Sequence, residues 1–188
     1  MAYRLVILAS GSGTLAQAVC DARTDLDIDI AVVISDNPAA PVLHKAQSAG
    51  IPTQVISVGA SRHEWNVQIV EHVAAHKPDL VVSAGFMRIL PADFVNRFPT
   101  INIHPSLLPN FPGAHAVRDA LAAAVAITGT TVHWVDDGVD TGPVITQMEV
   151  PVLPGDDEAT LHERIKKVER GLIVATIALI LPTLERHV

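Results

Sequence analysis

The stretch Arg4-Leu5-Val6-Ile7-Leu8-Ala9-Ser10-Gly11-Ser12-Gly13-Thr14 decides the fold. Residues 4–9 form an apolar run without polar alternation, as in a strand buried on both faces. Ser10 to Thr14 break the run, and residues 15–22 resume at helical spacing. The order is strand, glycine loop, helix. A loop of this kind exposes backbone N–H groups and a helix N-terminus, whose partial positive charge suits a phosphate. Gly11-x-Gly13-x-x-Ala16 also satisfies the dinucleotide fingerprint, with Asp36 after the second strand where an acid would hold a ribose.

The same alternation continues outward from this stretch. Residues 29–34 read as a strand, 42–49 as a helix stopped by Gly50, and 53–58 as a third strand. Residues 61–76 read as a helix capped by Ser61 with Glu64 three positions on. Residues 79–84 are a buried strand, 85–90 the loop beyond it, and Pro91 starts a short helix. Further along, 101–103 form a β-branched segment between Pro99 and Pro105. In an extended chain Asn102 and His104 share one face, and His104 precedes a proline, so a strand ends here and hands its last side chains to a loop. A helix over 114–124, strands over 130–135 and 144–150 around an acidic loop, and a final helix over 157–181 complete the pattern. This predicts an α/β fold, with one domain over residues 1–188 and a doubly wound, mainly parallel sheet. Such sheets bind ligands outside the carboxyl ends of their strands.

The 188 residues suit one domain, and a 49% apolar share with few aromatics implies a core of Val, Ile, Leu and Ala. A net charge of -7 argues against nucleic acid and against an acidic membrane, so the expected partners are small molecules, with the chain a monomer or homodimer. The one cysteine, Cys20, has no internal disulfide partner and reads as a packing residue in a reducing compartment. No leader precedes the first strand, and the apolar run over 172–181 falls well short of the roughly 20 residues of a membrane helix, so a cytoplasmic location is expected.

The run Asn102-Ile103-His104-Pro105-Ser106-Leu107-Leu108-Pro109, with Pro112-Gly113, His115 and later Val139-Asp140-Thr141-Gly142-Pro143, resembles the folate-dependent formyltransferases, in the branch acting on glycinamide ribonucleotide. The resemblance implies a Rossmann-like formyltransferase fold. It also implies transfer of a formyl group from 10-formyltetrahydrofolate, as co-substrate and without a metal, to the amine of 5'-phosphoribosylglycinamide in purine biosynthesis. Formyl transfer passes through a tetrahedral carbon bearing an oxyanion, which needs placed donors. On the matching positions Asn102 is the polar stabiliser, His104 the proton donor, and Asp140 the carboxylate that favours the imidazolium.

The resemblance places the ribonucleotide along Gly11, Ser12, Gly13, Thr14 and Leu15, with Glu169 approaching from the last helix. The family's Ser-Asn pair reads Thr14-Leu15 here, so Leu15 offers only its backbone. The folate is expected against Met87, Arg88, Ile89 and Leu90 and against Asn102, Asp136, Asp137, Gly138, Val139 and Asp140, with Arg62 near its tail. His115 and His133 are expected as supporting residues around the triad. His72 and His76 have metal-ligand spacing but no third ligand, and a polar helix face accounts for them. Two other readings compete. A formyltetrahydrofolate hydrolase would use the same triad on water but carries an extra N-terminal regulatory domain, whereas this chain opens at its first strand. An NAD-binding module rests on the glycine loop and Asp36.

Overall fold

The computed structural model describes residues 2–184. Its strands are β1 (Tyr3–Leu8), β2 (Ile28–Ser35), β3 (Thr53–Val55), β4 (Leu80–Ser83), β5 (Thr100–His104), β6 (Ile127–Trp134) and β7 (Val144–Pro151). All seven join one sheet in the order β3-β2-β1-β4-β5-β6-β7. The first five are parallel, and β6 and β7 extend the sheet antiparallel. The expected mainly parallel α/β sheet is therefore present. After β1 the chain runs outward through β2 and β3, then returns to place β4 on the other side of β1. That reversal leaves a crevice at the carboxyl ends of β1 and β4.

The helices are α1 (Thr14–Asp21), α2 (Pro41–Ser48), α3 (Arg62–Ala75), α4 (Ala92–Arg97), α5 (Ala116–Ala122) and α6 (Glu158–Ile180). On one face of the sheet Leu5, Ile7, Leu80, Val82 and Ile101 pack against α1, α2 and the apolar end of α6. On the other Val6, Leu8 and Val81 pack against Trp65, Ile69 and Val73 of α3 and Phe94 of α4. Both faces of the central strands are buried, hence the unbroken apolar runs. Each fully buried Leu or Ile contributes about 1.5–3 kcal/mol. In β2 the register slips at Leu5/Val6, where Ile30 and Val32 pair with consecutive β1 residues and Ala31 is extra. This bulge switches phase, so Ile28, Ile30 and Val33 reach one face while Val32 and Ile34 reach the other.

Local chemistry explains most element ends. Ser61 caps α3 by accepting from the Glu64 N–H at 3.2 Å, and Pro41 opens α2. Asp157 and Thr160 form a reciprocal capping box at the start of α6. Pro91 is the residue before α4 rather than its first helical residue. Several elements are shorter than predicted, β3 and α5 most of all. The third strand stops at Val55, because its ladder neighbour β2 ends at Ser35. α5 begins at Ala116 rather than 114, because Gly113 has a left-handed φ of 87° and its N–H is taken by Asp140.

Candidate active site

A cleft of about 520 Å³ lies at the carboxyl ends of β1, β4 and β5. Its walls are the glycine loop, the 85–90 loop, the start of the 136–142 loop and one face of α6. A second hollow of the same volume lies at the amino ends of β2 and β3, lined by residues such as Arg23, Asp27 and Gly50, and holds none of the candidate residues.

The triad converges in the first cleft. His104 ends β5 and is buried, with Nδ1 3.3 Å from Asp140 Oδ2 and Nε2 2.8 Å from the Phe111 carbonyl. Both ring nitrogens face oxygen atoms, a carboxylate on one side and a carbonyl on the other. Asp140 Oδ2 also accepts the Gly113 N–H at 2.8 Å, and Oδ1 lies 3.5 Å from His133 Nε2. Burial opposes ionisation of Asp140. The His133 ring, the Gly113 N–H and the His104 charge outweigh it and hold the carboxyl below its usual range. Asp140 has φ 55°, a left-handed conformation that Asp tolerates better than most residues. Its loop is closely fitted, since a Cβ on Gly142 would sit 1.8 Å from the Trp134 carbonyl oxygen.

His133 lines the cleft from β6, and its Nδ1 donates to the Trp134 carbonyl at 2.9 Å. Its Nε2 lies 3.2 Å from Asn102 Nδ2 and so sits between that amide and Asp140. With Asn102 Nδ2 toward His133, its second N–H is left for the cleft. His133 is therefore both a satisfied strand histidine and a support of the triad.

The glycine loop sits opposite. Gly13 has φ 72°, and a Cβ there would meet Val42 Cγ2 at 2.4 Å, so only glycine fits. The Gly11 carbonyl accepts from the Val42 N–H and the Ser12 carbonyl from Lys45 Nζ at 2.8 Å. With those carbonyls bound to α2, the N–H groups of the same peptides point the other way. Gly11, Ser12, Gly13, Thr14 and Leu15 all line the cleft. From α6 come His162, Lys166 and Glu169, spaced i, i+4 and i+7 and so on one face. Glu169 is 4% exposed, not solvated, and burial pushes its carboxyl up to about 7. His162 is pushed below its usual value, by burial first and by Lys166 second.

Of the 85–90 loop, Met87 and Ile89 present exposed apolar side chains to the cleft while Leu90 packs into the core beside Phe86. The Arg88 side chain is engaged, with Nε 2.6 Å from Asp36 Oδ2. The same bond occupies the carboxylate that the dinucleotide reading assigned to a ribose. Three predicted residues do not line the cleft. Arg62 lies over the Trp65 ring and donates to the Ile89 carbonyl, so it holds the loop from outside. Asp137 is exposed, because Asp136 Oδ1 accepts from the Gly138 N–H and the Thr141 hydroxyl and folds the turn without it. His115 is exposed at the start of α5, with no side-chain capping bond, because Gly113 rather than His115 reaches Asp140. Asp136, Gly138 and Val139 do line it.

Residues 3–177 match the family model described as formyl transferase. The chain belongs to the formyl transferase family. It is 50% identical over 179 residues to the phosphoribosylglycinamide formyltransferase of Mycobacterium tuberculosis (strain H37Rv), covering 93% of this chain and 83% of that protein. To the phosphoribosylglycinamide formyltransferase of Escherichia coli (strain K12) it is 39% identical over 180 residues, covering 93% and 85%. Its fold superposes on glycinamide ribonucleotide transformylase 1 from Symbiobacterium toebii with a TM-score of 0.93 at 39% identity, over 97% of this chain and 89% of that one.

Two residues of this formyltransferase's cleft, His162 and Lys166, were not anticipated, although their spacing from Glu169 along one helix was readable. The Phe111 carbonyl leaves no sequence signal at all. Burial pushes the Cys20 thiol up to about 11, as suits a packing residue. His72 pairs with Gln54. Among the described residues no helix is long and apolar enough to cross a membrane, and no His, Cys, Asp and Glu side chains cluster to hold a metal.

Proposed function

We infer that the protein transfers the formyl group of 10-formyltetrahydrofolate to the amine of 5'-phosphoribosylglycinamide, a step of purine synthesis. The observation that carries the mechanism is the His104 ring held between Asp140 and the Phe111 carbonyl beside the Asn102 amide, in a cleft with a glycine loop on one wall and an apolar loop on another. The glycine loop suits the phosphate of the ribonucleotide, and Met87, Ile89 and Val139 supply an apolar surface for the folate.

The amine nitrogen attacks the formyl carbon and the carbonyl electron pair moves onto oxygen. Asn102 Nδ2 and the His104 cation stabilise that oxygen, and one such donor is commonly worth about 2.7–4 kcal/mol in the transition state. Collapse breaks the bond to the folate nitrogen, which leaves with a proton from His104, while the attacking nitrogen gives up its own proton, with Asp140 the acceptor nearest His104. His104 Nε2 is bonded to the Phe111 carbonyl and Nδ1 faces Asp140, so delivery requires one nitrogen to turn from its partner as the folate nitrogen takes its place. The cytoplasm is the proposed compartment, consistent with a lone buried thiol.

A steady-state assay with 10-formyltetrahydrofolate tests this, comparing the ribonucleotide with water as acceptor. Turnover is expected with the ribonucleotide. Equal release of tetrahydrofolate without it would identify a hydrolase instead.

A further inference from the structure

Asp36 follows β2 and Arg88 lies in the loop after β4, with β1 between those strands in the sheet. The Arg88 guanidinium reaches across the end of β1 to the Asp36 carboxylate, which is 4% exposed while the guanidinium is 42% exposed. The second carboxylate oxygen, Oδ1, is buried and has no hydrogen-bond partner among the described residues. A buried charge with one oxygen unmet is a poor device for stability alone, because an apolar residue of similar size would fill the place without desolvation. Its geometric effect is specific. The other ties on this loop hold backbone: Ser10 N–H to the Gly85 carbonyl at 3.1 Å, Met87 N–H to Ser10 Oγ at 2.8 Å, and Arg62 to the Ile89 carbonyl. Arg88 is the residue between the last two ties, anchored through its side chain.

We propose that Asp36 is a positioning residue for the folate end of the cleft, its buried carboxylate acting through Arg88 to fix the backbone of residues 87–90 in the shape that reads the pterin edge. This rests on the formyl-transfer reading above.

The test uses the full chain as wild type, Asp36→Asn, Arg88→Ala and the double variant, with both substrates varied and amide hydrogen exchange of residues 87–90 followed by mass spectrometry. In Asp36→Asn the KM for 10-formyltetrahydrofolate is expected to rise about tenfold, with kcat and the ribonucleotide KM within about twofold, and the double variant no worse than Arg88→Ala. Loop amides exchange faster while those of β1 and β4 do not. An unchanged folate KM, or an equal rise in both KM values, overturns the proposal. If the wild type does not turn over this substrate pair, the functional reading fails by itself and the exchange result decides: unchanged protection at 87–90 overturns the positioning role. Arg88→Met, at a half-exposed side chain, carries the same exchange test if Asp36→Asn does not fold.

Discussion

His104 has two tasks at the residue scale: in the proposed mechanism its ring supplies the departing proton, and in the fold it stands between the Phe111 carbonyl and Asp140. His104→Ala is expected to lower kcat by about 10²-fold to 10⁴-fold, the usual worth of a general acid. Ribonucleotide binding by calorimetry stays near wild type, because the glycine loop stands on other elements. The part-buried Phe111 carbonyl loses its donor, so unfolding free energy falls by roughly 0.5–1.5 kcal/mol. Retention of most turnover would remove the proton-donor role. Asn102 and His104 were legible as a pair because two-residue spacing in a strand puts them on one face, and Asp140 through the resemblance carried by its motif. Phe111 was not, because a backbone carbonyl has no residue-type signature. Asp137 and His115 were misplaced because loop position was read as direction, and turns at Asp136 and Gly113 send neighbouring side chains to solvent.

α6 joins the site to the core at the element scale. Its first half sets His162, Lys166 and Glu169 into the cleft, and its second half packs Leu172, Ile173, Ile177 and Ile180 under the sheet. Between the halves stands Gly171, exposed, with no heavy atom within 4 Å of where a Cβ would lie. Gly171→Ala is expected to stabilise the protein by about 0.5–1 kcal/mol, because alanine loses less backbone entropy in a helix. Urea unfolding should show a higher midpoint at unchanged slope. A lower midpoint would mean that α6 bends there to serve both halves. Helix and strand identity followed from periodicity throughout. The Ala31 bulge did not, since residues 30–34 are apolar on either phase and only the pairing with β1 decides it. The early end of β3 likewise depends on a neighbour running out, which no local pattern records.

At the scale of the whole molecule, stability depends on pH through groups shifted in opposite directions. Asp140 is held below its usual range and Asp156 at about 2, where the Arg164 hydrogen bond is the largest cause. Their stabilisation is present above the unfolded values near 4 and is lost as pH falls through the folded ones. His76 and His162 are lowered by burial, so their contribution is lost as pH falls below 6.5. Glu169 is raised from 4.5 to about 7, mainly by burial. Between those values the unfolded chain has released its proton and the folded chain retains it, so this group weakens the fold as pH rises. Because the histidines oppose Glu169 in the same window, the wild-type profile alone does not isolate it, but its difference from Glu169→Gln does. The variant is expected to match wild type near pH 4.5 and to exceed it at pH 8 by on the order of 3 kcal/mol, read from urea unfolding. Lys166 is engaged with Glu163 at 2.9 Å and gives Glu169 only a secondary stabilising influence. If the two curves coincide at pH 8, Lys166 has left Glu163 to pair with an ionised Glu169, and the face of α6 toward the cleft carries a carboxylate rather than a neutral acid.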